Sequence, residues 1–159
     1  MPAFRIPRGV FVLTKEVLRH VLRRPVVGIA AAARCPDGKW LLVRRADTGQ
    51  WALPGGTLEW GETLRDCVVR ELLEEAGIEA CDIQRLVGVY SRPDRDPRFH
   101  GVTVVVQCRV GRPVRAPSNP AEILDARLFA ETDLPKVLSM GMHDMLAAAM
   151  GGGPEAVIE

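Results

Sequence analysis

The order of apolar and polar positions divides the chain into a few short elements. Residues 26–34 form an apolar run of strand length, followed by the turn Pro36-Asp37-Gly38 and a second apolar run over 39–45, a pattern that predicts a β-hairpin. Residues 83–91 and 102–110 read as two more strands separated by the polar loop RPDRDPRFHG, and residues 127–130 as a further short strand. Helical spacing occurs in three places. Residues 14–23 carry Val17, Leu18, Val21 and Leu22 behind a threonine cap and ahead of Pro25; a longer helix starts near Glu62 and stops at Gly77; residues 134–150 hold a last helix interrupted around 139–141. Strands and helices intermix without regular βαβ alternation, which favours an α/β domain with a mixed sheet covered by helices over a doubly wound parallel sheet. Residues 1–25 then form an N-terminal extension with a short helix, 26–150 the domain, and the glycine-led stretch 151–159 a flexible tail.

On a wheel at about 100° per residue, the long helix places Val68, Val69, Leu72, Leu73 and Ala76 on one side. Glu71, Glu74 and Glu75 share the other side, with Arg70 at its flank. Like charges at i,i+4, as in Glu71 and Glu75, cost an isolated helix about 0.2–0.5 kcal/mol, and acids in a last turn oppose the helix dipole. Local helix physics therefore disfavours this face. Clustered carboxylate oxygens suit a hard divalent cation, which reverses the sign of the repulsion. The other reading of the Arg70 to Glu75 run is a solvated face in which Arg70 pairs with Glu74.

Composition narrows the function classes. With 159 residues, 47% hydrophobic and 26% charged, the chain falls in the range of one domain that buries its own core. Against 20 Asp and Glu stand 21 Lys and Arg, so no overall field draws the chain to long nucleic acids or to anionic membranes. Cys35, Cys67, Cys81 and Cys108 are scattered without CxxC spacing, which excludes a zinc site of the usual pattern and predicts reduced, packed thiols. Apolar runs such as 102–106 are too short to cross a bilayer, and the first 27 residues are interrupted by Pro7, Arg8, Lys15, Arg19, Arg23 and Arg24, so a cytoplasmic protein is expected.

From Gly56 the chain reads GTLEWGETLRDCVVRELLEEAGI, which resembles the Nudix box: Gly, five residues, Glu, seven residues, Arg-Glu, an aliphatic, any residue, Glu-Glu, any residue, Gly and an aliphatic. Gly56, Glu62, Arg70, Glu71, Glu74, Glu75 and Gly77 fill the fixed positions, with Leu72 and Ile78 as the aliphatics. At about 7% usage per fixed residue, a chance match is on the order of 10⁻⁸ per start site. The resemblance implies a Nudix-type α/β/α sandwich with a mixed sheet, in which the box forms a catalytic loop-helix-loop. It implies magnesium, with manganese as a substitute. It implies that Glu71, Glu74 and Glu75 are metal ligands or activators of a metal-bound water, that the Gly55 carbonyl is a further ligand, that Arg70 orients a glutamate and that Glu62 braces the network. Glu59 either reaches an outer metal or stays solvated. The general base is either a box glutamate or an acid of a later loop, for which Glu122 is the candidate.

The reaction implied is attack of a metal-activated water on a nucleoside diphosphate linked to a group X. Residues 87–106 are similar to a segment of ADP-ribose-hydrolysing members, which points to ADP-ribose or a related nucleotide sugar. Arg95, Arg98 and His100 are then candidates to hold a distal phosphate or ribose, oriented by Asp94 or Asp96. Arg44 and Arg45 alternate at the end of an apolar strand, so one of the two faces the site. Trp51 and Tyr90 are candidates to stack on a base. Two other functions remain open: removal of damaged nucleoside triphosphates such as 8-oxo-dGTP, and a non-catalytic nucleotide-sensing module, against which the full set of box carboxylates argues. Many relatives are dimers, so the helix over 14–23 serves either a homodimer or intrachain packing.

Overall fold

The computed structural model describes residues 24–153 and 155–159. The helix expected over 14–23 lies outside them. Its centre is a mixed sheet built from β1 (Val26–Arg34), β2 (Trp40–Arg45), β3 (Trp51–Ala52), β4 (Cys81–Tyr90), β5 (Gly101–Val110), β6 (Ile123–Phe129) and β7 (Val157–Ile158), in the order β3-β2-β1-β5-β4-β7, with β6 also pairing β2. Helix α1 (Leu64–Ala76) and helix α2 (His143–Gly151) cover it.

The alanine-rich β1 sets the layering. Strand side chains alternate between faces, and here both faces are buried: Ile29, Ala31 and Ala33 enter one core, Ala30 and Ala32 the other. The first core takes Leu41 and Val43 from β2, Cys108 and Val110 from β5, and Cys67, Val68, Leu72 and Ala76 from α1. The second takes Trp40 and Leu42, Val87 and Tyr90, Val105, and Met145, Leu146 and Ala149 from α2. A helix therefore lies on each face of a mixed sheet, as the sequence pattern and the Nudix resemblance imply.

The expected hairpin is present but soon divides. β1 and β2 are in antiparallel register at Arg34 and Trp40, whereas β1 pairs β5 in parallel along its whole length. Beyond that junction the chain itself fills the gap between the two strands. β3 pairs β2, while the Ala31 amide donates to the Pro54 carbonyl at 2.8 Å, the Ile29 amide to the Gly56 carbonyl at 2.9 Å, and the Leu58 amide to the Val27 carbonyl at 3.0 Å. The loop over 53–58 is thus held by backbone hydrogen bonds in a split of the sheet.

Helix α1 starts where Thr63 accepts a hydrogen bond from the Asp66 amide at 3.2 Å and donates its hydroxyl to the Asp66 carboxylate. It ends at Gly77, whose φ of 61° is the left-handed conformation of a C-cap. Several boundaries differ from the sequence reading. The last strand expected at 127–130 begins earlier, at Ile123, and the last helix begins only at His143, after a 3-10 turn (Ser139–Gly141) with Met140 at φ 54°. Residues 134–138 are not helical. The stretch expected as a flexible tail carries β7, which pairs β4 in parallel at Gly88 and Val89. All four cysteines are free thiols, and Cys35, Cys67 and Cys108 are buried.

Loss of an N-cap side chain costs about 1 kcal/mol. Thr63→Ala should lower the urea unfolding midpoint by a corresponding amount, with an unchanged slope of free energy against urea.

Candidate active site

Helix α1 and the loop over 53–58 bring the box carboxylates together. The periodicity of α1 places Glu71, Glu74 and Glu75 on one charged face, and the loop crosses that face and buries two of them, leaving Glu71 9% and Glu75 6% exposed. Glu75 accepts a hydrogen bond from the Gly55 amide at 2.8 Å. Glu71 lies against Gly56, where a Cβ would have to displace its carboxylate from the position in which Arg70 holds it. Glu74, with a side chain 53% exposed, stays at the rim.

Arg70 organises the network. Its Nε and Nη2 donate to the two oxygens of Glu62 at 2.8 and 3.0 Å, its Nη1 donates to Glu71 at 2.8 Å, and Nη2 also reaches the Thr57 carbonyl at 3.2 Å. Glu62 in turn accepts the Glu59 amide at 3.0 Å. The Arg70 hydrogen bonds hold the Glu62 carboxyl down at about 2, and the paired carboxylates hold the Arg70 guanidinium charged.

The two inner carboxylates are less well compensated. Burial pushes the Glu71 carboxyl above its ordinary range, against the opposing pull of Arg70. Burial likewise pushes the Glu75 carboxyl up to about 8, reinforced by the charges of Glu71 and Glu122 and opposed by the Gly55 amide and Arg45. A buried acid without a cation is held near neutrality by desolvation.

These groups open into a cavity of about 490 Å³, whose wall includes Gly55, Glu59, Glu71, Glu74, Glu75 and Glu122 together with Arg45 and Arg98. Acidic and basic groups thus meet in one space. Among the described residues, no three His, Cys, Asp or Glu side chains are already gathered as a metal-binding cluster. The chemistry of the donor set nevertheless fits a hard divalent cation: oxygen donors, excess negative charge and incomplete pairing.

A family model described as NUDIX domain matches residues 22–149. The chain belongs to the Nudix family. An ADP-ribose pyrophosphatase of Methanocaldococcus jannaschii is 41% identical over 105 residues, 64% of this chain and 60% of that protein. A MutT-like protein of Streptomyces ambofaciens is 41% identical over 83 residues, 52% of this chain and 51% of that protein. The matched stretches therefore span about half to three fifths of these relatives. Among solved structures, an ADP-ribose pyrophosphatase from Streptococcus suis superposes with a TM-score of 0.67 at 30% identity, covering 85% of this chain and 98% of that one.

Outside the Nudix box, the structure sorts the remaining sequence candidates. Arg45 lines the cavity, whereas Arg44 turns away and donates to the Gly49 carbonyl at 3.1 Å, as strand alternation requires. Arg98 lines the cavity with its side chain 48% exposed; it chelates Asp96 through bonds of 3.0 and 2.7 Å and approaches Asp47 at 3.4 Å. Asp94 pairs with Arg92 instead. Arg95 borders the cavity, but its guanidinium is engaged by Asp144 and Glu159.

The stacking candidates are corrected. Tyr90 is 2% exposed in the second core beneath the Arg95 guanidinium, and it is absent from the cavity wall. Trp51 packs edge-on against Phe129 at 4.8 Å, also away from the wall. His100 binds the Ser91 carbonyl at 2.8 Å rather than facing the cavity. Among the described residues the aromatic that does line it is Phe99, joined by Met140, Met142 and Met145. Phe99 was visible in the sequence as an apolar residue inside a charged loop. The methionines were hidden in what reads as a helix.

The Glu75 carboxyl titrates higher in the folded protein, at about 8, than its ordinary value of 4.5. Between those values the native state holds a proton that the unfolded chain has released, so stability falls as pH rises through the window. Glu75→Gln removes that penalty, and its amide oxygen can still accept from Gly55. In chelator, the variant should match the parent near pH 4.5 and melt progressively higher toward pH 8. At about 1.4 kcal/mol per pKa unit, the margin reaches a few kcal/mol. Thermal melts across pH check it; parallel curves would remove Glu75 as the titrating group.

Proposed function

We propose that this chain hydrolyses a phosphoanhydride bond in a nucleoside diphosphate linked to X, with ADP-ribose or a related nucleotide sugar as substrate. The observation that carries the reading is a cavity in which buried, incompletely compensated carboxylates meet Arg45 and Arg98. That pairing suits a diphosphate: oxygens for a hard cation and guanidinium groups for phosphate. The choice of substrate is supported by the names of the archaeal and streptococcal relatives.

In this reading Gly55, Glu59, Glu71, Glu74 and Glu75 supply the oxygens that hold magnesium or manganese, with the rim residue Glu74 turning inward. When bound, the cation lowers the pKa of a water and neutralises charge on the transferring phosphoryl group. The rest falls to the protein. Arg70, fixed by Glu62, holds the Glu71 carboxylate in one orientation. Glu122, exposed at the cavity wall, stands as a proton acceptor beside the box glutamates. Arg45 and Arg98 orient the diphosphate, and Phe99 offers the base an aromatic surface. No described helix is long and apolar enough to cross a membrane, and the small polar substrate accords with a cytoplasmic enzyme.

Activity should vanish in excess chelator and return with magnesium or manganese; full turnover in chelator would refute the metal role. A substrate panel with products identified by mass tests the rest. AMP plus ribose 5-phosphate from ADP-ribose is expected. A specificity constant about tenfold or more higher for 8-oxo-dGTP, giving a monophosphate and pyrophosphate, would move the substrate to damaged triphosphates, and ligand binding without turnover would favour a sensing module. Arg98→Ala should raise KM more than it lowers kcat, because it removes binding common to ground and transition states. Unchanged kinetics would make Arg98 a surface residue.

A further inference from the structure

Glu159 and β7 sit where no box residue reaches. The apolar side chains of β7 do not explain its place: Val157 is 40% and Ile158 87% exposed. Its anchorage is polar. The Glu159 carboxylate accepts the Ser91 amide at 3.1 Å, the Arg92 amide at 3.0 Å and the Arg95 Nε at 2.8 Å, while its backbone amide donates to the Val89 carbonyl and its carbonyl accepts the Ser91 hydroxyl. Two backbone amides and a guanidinium form a nest for an anion.

Arg95 passes this anchorage onward. Its side chain is 8% exposed, its guanidinium lies 5.0 Å above the Tyr90 ring, and its Nη1 donates to the Gly141 carbonyl at 3.1 Å and to Asp144 at 3.2 Å. It therefore ties the loop over 91–100 to the turn that opens α2. Both segments line the cavity, the first through Asp96, Arg98 and Phe99, the second through Met140, Met142 and Met145. These residues line a part of the wall that is separate from the box carboxylates.

We infer that Glu159 is a positioning residue, whose carboxylate clamps Arg95 so that the loop over 91–100 and the turn over 139–145 form one substrate-binding wall. The inference rests on the proposed function for the identity of the substrate, but not for the clamp. A side chain outside the Nudix box, on the residue that follows a two-residue strand, would then set affinity without touching the reacting phosphorus.

The test uses the full chain with Glu159→Ala, Glu159→Gln, Arg95→Ala and the double alanine variant, with melts to confirm folding. Hydrogen exchange should rise in peptides covering 91–101 and 139–146 of Glu159→Ala and stay unchanged in α1. KM for ADP-ribose should rise about three- to tenfold with kcat held within about twofold, and the double variant should be no worse than Arg95→Ala, because residues acting through one network are not additive. Glu159→Gln, which still accepts the two amides, should fall between parent and alanine. Unchanged exchange, unchanged KM or additive effects would overturn the inference. So would a fall in KM, which would mean that Glu159 competes with substrate for Arg95. If the parent turns over a different compound of the panel, the substrate reading fails and the kinetic arm is run on that compound. If nothing is turned over, the exchange data decide the clamp.

Discussion

Two carboxylates one helical turn apart, buried beneath a backbone loop, are the constraint around which this domain is arranged. Removing Glu71 and Glu75 from water opposes folding, and an isolated helix gains nothing from placing them together. They stay buried because other groups fix α1 and the loop independently. Leu72, Val68 and Ala76 anchor the helix in the first core, and the hydrogen bonds from Ile29, Ala31 and Leu58 hold the loop in the split between β1 and β2. Arg70 and the Gly55 amide then compensate part of the charge. The remainder is what a cation would neutralise under the proposed reading.

The double-faced β1 separates two tasks. Side chains at 29, 31 and 33 face the core that carries α1 and its carboxylates; those at 30 and 32 face the core that carries α2. Alanines keep both helices close to the sheet. Under the proposed reading, reactive groups come from one face and much of the substrate wall from segments tied to the other. A change in the loop over 91–100 or in the turn before α2 can then alter which substrate binds while leaving the carboxylate network in place.

Much of this was legible in the sequence because it is written in local spacing. Alternating and helical periods located β1, β2, β4, β5 and α1, and the acid-rich face of α1 announced an unfavourable arrangement that needed a partner. What local spacing does not record is which distant segment covers a face. The burial of Glu71 and Glu75 depends on a loop that crosses α1, which helical spacing does not report. Tyr90 sits on a strand whose two faces are indistinguishable until α2 is placed over one of them. Arg95 looked available to substrate because its partners, Asp144 and Glu159, are 49 and 64 residues away. Arg44 and Arg45, by contrast, were separable in principle from the pleat, which required that only one face the site.

The arginines around the cavity divide by how firmly each is held. Arg70 is pinned by Glu62 and Glu71 in a network whose carboxylates are 12% exposed, and Arg95 is 8% exposed between two acids. Extracting Arg70 would leave the buried Glu71 carboxylate unpaired, and extracting Arg95 would break its contacts with both Asp144 and Glu159. Arg98 is different. Its side chain is 48% exposed, its contact with Asp47 is long at 3.4 Å, and exposed ion pairs are worth about 0–1 kcal/mol. Under the proposed reading, the doubly charged diphosphate of a substrate can draw Arg98 from its long contact with the exposed Asp47 at little expense, while its pair with the buried Asp96 holds, as Arg70 and Arg95 hold theirs. Graded tethering of this kind assigns the framework to the doubly held guanidinium groups and leaves the exchange of its outer partner to the exposed one.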